Sequence, residues 1–188
     1  MDNLNEIVGK LGLEKNIAVE DIPNIDLYMD QVIQFFEYTF GSTKRNDEEK
    51  ILTKTMINNY AKGKLLFPIN NKKYSKEHII LISLIYQLKG ALTINDIKLS
   101  LQGVNDRIFD KNFDLQEFYQ SYLMLNIQNV DNFKCDLSTR VEEVKEAASL
   151  FADKDQKDLE QVLLIASLVN ISNMYRRVAE KLVDQLSE

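Results

Sequence analysis

Apolar positions recur along this chain with helical spacing over most of its length. Leu4, Ile7, Val8 and Leu11 predict a short N-terminal helix, weakened by Gly9 and Gly12. Asp21-Ile22-Pro23-Asn24 is turn chemistry. Ile25, Leu27, Tyr28, Val32, Phe35, Phe36 and Phe40 then form one stripe, which predicts an amphipathic helix over 25–39 with its aromatics in the core. Residues 41–49 are polar and predict a loop.

Thr53 is a good N-cap for a helix over 53–63. Met56, Ile57, Tyr60 and Leu65 would face inward, and Lys54, Thr55, Asn58, Asn59 and Lys62 outward. Gly63 suits a left-handed helix end. Residues 66–74 predict two short strands about an Asn70-Asn71 turn, with Pro68 on an edge and Lys72 and Lys73 beside the turn. Ser75 caps a helix to about Lys89, apolar on nearly every side and therefore buried. Thr93 and Asp96 open a short helix through Leu101. Residues 103–112 predict a connector.

From Asp114 the pattern predicts a helix with Leu115, Phe118, Tyr119, Tyr122 and Leu125 on one face, a break near Asn129–Phe133, and a second helix marked by Leu137, Val141, Val144, Ala148 and Phe151. Asp153-Lys154-Asp155 predicts another break. Residues 155–186 contain no Gly or Pro and predict one long helix. Its run Val162–Val169 is apolar all round, as in a packed core. Leu164, Leu168, Ile171, Tyr175, Val178 and Leu182 fall at alternating spacings of four and three, a heptad seam suited to a neighbouring helix or to a twin.

Charge changes this picture. The 188 residues carry a net −6, which excludes a wholly basic coat protein. The charge is uneven, however. Residues 1–40 hold 2 basic and 8 acidic side chains, residues 41–90 hold 10 and 4, and residues 91–188 hold 11 and 17. One basic block therefore lies between two acidic ones, and a single basic face suffices for nucleic acid. Asparagine can bond adenine at two points in the major groove, and lysine can reach guanine or phosphate.

Residues 53–101 resemble the DNA-binding domain of the MerR family of transcription regulators. The likeness lies in the helix 53–63, the exit through Leu65, Leu66 and Pro68, a wing ending in Tyr74, and a short helix opening Thr93-Ile94-Asn95-Asp96-Ile97, with Tyr60 matching a family tyrosine. Asn58 and Asn59 stand where that family has Arg and Tyr, and Lys64 stands where it has Gly. The whole chain, through Leu27–Val32 and Thr53–Tyr60, also resembles a bacterial family of uncharacterised proteins with a MerR-like core.

The expected fold is mainly α: a winged helix-turn-helix with a small β-hairpin wing at 21–103, an N-terminal segment at 1–20 and a C-terminal helical region at 104–188. The expected partner is double-stranded DNA. Lys54, Thr55, Asn58, Asn59 and Lys62 would enter the groove, and Lys64, Lys72, Lys73 and Tyr74 would contact phosphates. A homodimer through the C-terminal helix and an unidentified small-molecule effector are further expectations. The rival is a helical interaction or scaffold module that keeps the fold without binding DNA. One His and one Cys make no zinc set, no phosphate loop or nucleophile motif is visible, and no catalytic group, cofactor or metal is expected. The lone Cys135 and the absence of an apolar leader or spanning segment predict a cytoplasmic protein without a membrane partner.

Overall fold

Seven helices and one two-stranded sheet make up the described residues, which are 4–110, 112–150 and 156–186 of this computed structural model. The short first helix, α1, spans Leu4–Lys10. A 3-10 turn at Val19–Asp21 leads to strand β1 (Leu27–Tyr28) and helix α2 (Met29–Phe40).

The hydrophobic stripe predicts helix from residue 25, but the helix begins at Met29. Leu27 and Tyr28 are extended because they pair antiparallel with strand β2 (Lys73–Tyr74), Leu27 opposite Tyr74 and Tyr28 opposite Lys73. Leu27 is buried and Tyr28 exposed, the alternation of a half-buried strand. Gln31 accepts the Tyr28 N–H through its side-chain oxygen at 2.8 Å, so this group stays bonded as the strand gives way to the helix.

Helix α3 (Lys54–Lys62) starts where expected, with Thr53 Oγ1 accepting the Met56 N–H at 3.2 Å. Its end differs. Gly63 is right-handed, at φ −71°, and the left-handed residue is Lys64, at φ 60°. The Leu65 N–H donates to Tyr60 O (3.0 Å) and the Lys64 N–H to Ala61 O (3.1 Å), the paired bonds of a Schellman end with Lys64 as its left-handed member. Gly63 serves close approach instead. A Cβ there would lie 2.7 Å from Leu65 Cδ1 and 3.1 Å from Asn59 O.

The hairpin also shifts by one residue. Asn71 (φ 51°) and Lys72 (φ 59°) are both left-handed, and the Lys73 N–H donates to Asn70 O at 2.9 Å. This is a two-residue I′ turn. Asn70 and Lys73 form a single bridge, and residues 66–69 are not a strand. Pro68 has no N–H with which to extend the ladder. The sheet partner of β2 therefore comes from β1, far back in the chain.

Helix α4 (Lys76–Leu88) is the buried centre expected. Helix α5 (Ile94–Arg107) opens with the Thr93/Asp96 capping box but runs six residues past Leu101, so the first half of the expected connector is helical. Asn105 Nδ2 donates to Leu65 O at 3.0 Å and Leu101 O at 3.3 Å, tying the added turn to the exit of α3.

Helix α6 (Leu115–Ala148) runs unbroken through Asn129–Phe133. That stretch is polar but lacks Gly and Pro, and Val130, Leu137, Val141, Val144 and Ala148 keep one buried face in register across it. Leu125, expected inward, is exposed. Phe151 and the break at residues 153–155 lie outside the described residues.

Helix α7 (Gln156–Gln185) packs on α6. The expected all-round core at Val162–Val169 does not form, since Val162 is 63% exposed, and Ile165 and Val169 are exposed with it. Here α7 leans on α6, with Leu4 of α1 beside the same cluster, which covers Leu163, Leu164 and Leu168 and leaves Val162, Ile165 and Val169 to solvent. The heptad seam consequently divides: Leu164, Leu168 and Ile171 are at least half-buried, whereas Tyr175, Val178 and Leu182 are exposed.

The main core is one cluster running from Ile17 and Val19 through α2, α3 and α4 to Leu115 and Tyr119 of α6. The cluster takes in Ile17 and Val19 from before residue 21 and Leu115 and Tyr119 from after residue 103. Tyr119 closes it by donating its hydroxyl to Ile17 O at 2.9 Å, and burial pushes this phenol up to about 12. Phe40 and Tyr86 pack with ring centres 4.6 Å apart, joining α2 to α4. Each buried apolar side chain in such a cluster is worth about 1.5–3 kcal/mol.

Candidate nucleic-acid interface

The site is built outward from α3. Ile57 and Tyr60 fix one side of the helix in the core, so geometry turns the other side to solvent. Lys54, Thr55, Asn58, Asn59 and Lys62 are all exposed there. Lys64, just past the helix end, and Lys72, at the tip of the turn, are exposed as well. Lys73 is half-buried.

Tyr74 departs from the expected set. It is 3% exposed and packs edge-on to the His78 ring at 5.8 Å, and burial raises its phenol pKa. Its position opposite Leu27 puts its ring on the inner face of the small sheet. Tyr74 anchors the strand that carries Lys73, and its ring does not join the lysines at the surface.

The helix and the turn meet at the β1–α2 junction. Asp30, in the first turn of α2, accepts an ion pair from Lys54 Nζ at 2.8 Å. Two residues earlier, the exposed Tyr28 ring lies under Lys73 Nζ, 5.3 Å from its centre. Contacts therefore run from Lys54 through Asp30 and Tyr28 to Lys73. Neither junction residue is apparent from the hydrophobic pattern. Tyr28 reads as one more inward aromatic of a helix, and Asp30 as one of eight acids in an acidic segment. The available signal is the alternation Leu27 in, Tyr28 out, which two residues are too few to declare.

His78 supports this surface from below. Its Nδ1 accepts the Ser75 N–H at 3.1 Å, which leaves the proton on Nε2, 3.3 Å from Phe67 O. Phe67 stacks on the imidazole with centres 3.7 Å apart. Burial lowers the His78 pKa, outweighing its bond to Phe67 and the nearby Glu77 and Asp26. The ring is thus a neutral strut between the chain before the turn and the start of α4.

Other candidate chemistry is sparse. Among the described residues no group of three or more His, Cys, Asp and Glu could hold a metal ion, and no helix is long and apolar enough to cross a membrane. Cys135 is exposed and unpaired. An open hollow on α6 is lined by Ser121, Met124, Leu125, Ile127, Gln128 and Asp131, all from one helix, so it lacks the opposing wall a small effector would need.

Residues 17–122 match the model of a family described as Domain of unknown function (DUF1836). The match nearly coincides with the main core, Ile17 to Tyr119. It lends no support to the MerR-like resemblance. No curated protein and no solved structure matches the chain.

Proposed function

This chain belongs to the DUF1836 family, a description that assigns no activity, and we propose from its surface that it binds duplex DNA as a transcription regulator of the winged helix-turn-helix type. In this reading α3 enters the major groove with Lys54, Thr55, Asn58, Asn59 and Lys62. Lys64, Lys72 and Lys73 grip phosphates on either side, and the I′ turn serves as a short wing. The exposed Tyr175, Val178 and Leu182 of α7 would join two copies, so that two heads meet successive turns of DNA.

One observation carries the reading. Lys64 and Lys72 occupy left-handed positions, at φ 60° and 59°, where glycine is at ease and a side chain costs roughly 1–2 kcal/mol. Strain of that kind collects at functional surfaces. The third left-handed residue, Asn71, is of a type that tolerates the position, whereas Lys64 and Lys72 are exposed cations, one just past the end of α3 and one at the tip of the turn.

The experiment follows from that strain. Lys64→Gly and Lys72→Gly should keep or raise the unfolding free energy, by up to about 1 kcal/mol each, because the backbone relaxes. The same changes should weaken binding of random-sequence duplex DNA. Wild-type binding through three phosphate contacts should fall roughly fortyfold between about 50 and 200 mM salt. Fluorescence anisotropy would measure the affinity and urea titration the stability. No binding at the lower salt, or unchanged affinity in both glycine variants, would sink the reading.

The second reading is an interaction module without DNA. The net charge of −6 and the exposed Met124, Leu125 and Ile127 on α6 favour it. Under it the glycine changes would stabilise the fold and cost nothing in function.

A further inference from the structure

Five lysines make up the cationic part of the interface, and their states differ. Lys62, Lys64 and Lys72 are exposed and, among the described residues, have no ion-pair partner. Lys73 lies over the Tyr28 ring, a contact that orients the ammonium without neutralising it. Only Lys54 is neutralised, by Asp30 Oδ1 at 2.8 Å.

We infer that Asp30 is an affinity-setting residue, a built-in competitor that withholds Lys54 from DNA until phosphate displaces it. The inference rests on the DNA-binding reading and deepens it. The positions on the two helices explain why the pair forms. Asp30 lies in the first turn of α2, where a carboxylate is favoured by the helix dipole. Lys54 is the first residue of α3, where a cation is disfavoured and gains from a neighbouring anion. Both side chains are about two-thirds exposed, so water and salt weaken the bridge and a phosphate can take the ammonium.

The competition has a direction. An approaching phosphate meets a cation already paired and a carboxylate beside it. Every duplex suffers this penalty, whatever its sequence, because phosphates carry no sequence information. Base contacts from Asn58 and Asn59 are left untouched. Asp30 thus lowers binding to every duplex by about the same factor, so it sets overall affinity and leaves the ratio between preferred and other sites to the base contacts.

The test is Asp30→Asn, which keeps the shape and removes the charge. Affinity for random-sequence duplex at about 50 mM salt should rise about three- to tenfold, and the slope of log affinity against log salt should steepen by about one. In a Lys54→Ala background the gain should shrink to half or less, because no ammonium remains to be released. Asp158→Asn, on α7, removes the same charge far along the chain and should leave affinity within twofold. Far-ultraviolet circular dichroism and the thermal midpoint would show that each variant is folded.

Affinity that is unchanged or lower in Asp30→Asn, with wild type binding normally, overturns the role of Asp30 and leaves the DNA reading standing. A gain of equal size in the Asp158 variant also overturns it, because bulk charge would then be the cause. No binding by either protein at low salt overturns both.

Discussion

At the scale of single residues, His78 makes the sharpest claim. The folded state needs its imidazole neutral, because Nδ1 accepts the Ser75 N–H and cannot do so when protonated. Burial has already lowered its pKa below the ordinary value near 6.5. The unfolded chain therefore binds more protons than the folded one in the window just below pH 6.5. Stability from this group is complete above that value and is lost as pH falls towards the folded pKa. Urea midpoints taken from pH 7.5 down to 5 should decline in wild type, and the decline should be shallower in His78→Asn. Parallel slopes would remove His78 from the account. Glu77 and Asp26, the charged groups facing the ring, both oppose the shift, so neutralising them should enlarge it.

At the scale of elements, capping chemistry and period were legible, and long-range pairing was not. Thr53, Ser75, Thr93 and Asp114 begin their helices as written, because a cap is a local bond between neighbours in sequence. β1 was invisible. Leu27 and Tyr28 are extended only because Tyr74 and Lys73 pair with them from far along the chain. The supposed break at Asn129–Phe133 failed for the opposite reason. Polar residues there suggest a loop, yet nothing in the stretch forbids helix, and the buried face passes straight through. Asn132 is exposed within it, so Asn132→Pro tests continuity without disturbing a core contact. A continuous helix should lose about 3 kcal/mol or more, read as a lower urea midpoint. A loss below about 1 kcal/mol would mean that α6 is already interrupted there. Of the candidate interface, the outward face of α3 was legible from periodicity. The roles of Tyr28 and Asp30 were not, because they depend on which strand β2 chooses.

At the scale of the whole molecule, two regions differ in how well they are packed. The main core is dense in α2, α3 and α4, whereas α6 and α7 share a small cluster of Val141, Val144 and Leu164. Beyond it, α7 exposes Met174, Tyr175, Val178, Leu182 and Leu186. These five side chains make an exposed apolar strip along the second half of α7, the kind of surface a second copy would cover. Val178→Glu with Leu182→Glu should therefore reduce the solution mass from two chains to one while the helical circular dichroism signal is kept, since neither side chain is buried within one chain. A wild-type mass of one chain across micromolar concentrations would refute this.

The unbroken α6 has a mechanical consequence. Tyr119 is clamped in the main core by its bond to Ile17, and Ala148 lies 29 residues further along the same rod, about 43 Å at 1.5 Å per residue. Such a rod is a lever. A rotation of one degree about its root moves the far tip by about 0.8 Å, so a small change of angle at the main core is magnified at the Ala148 end.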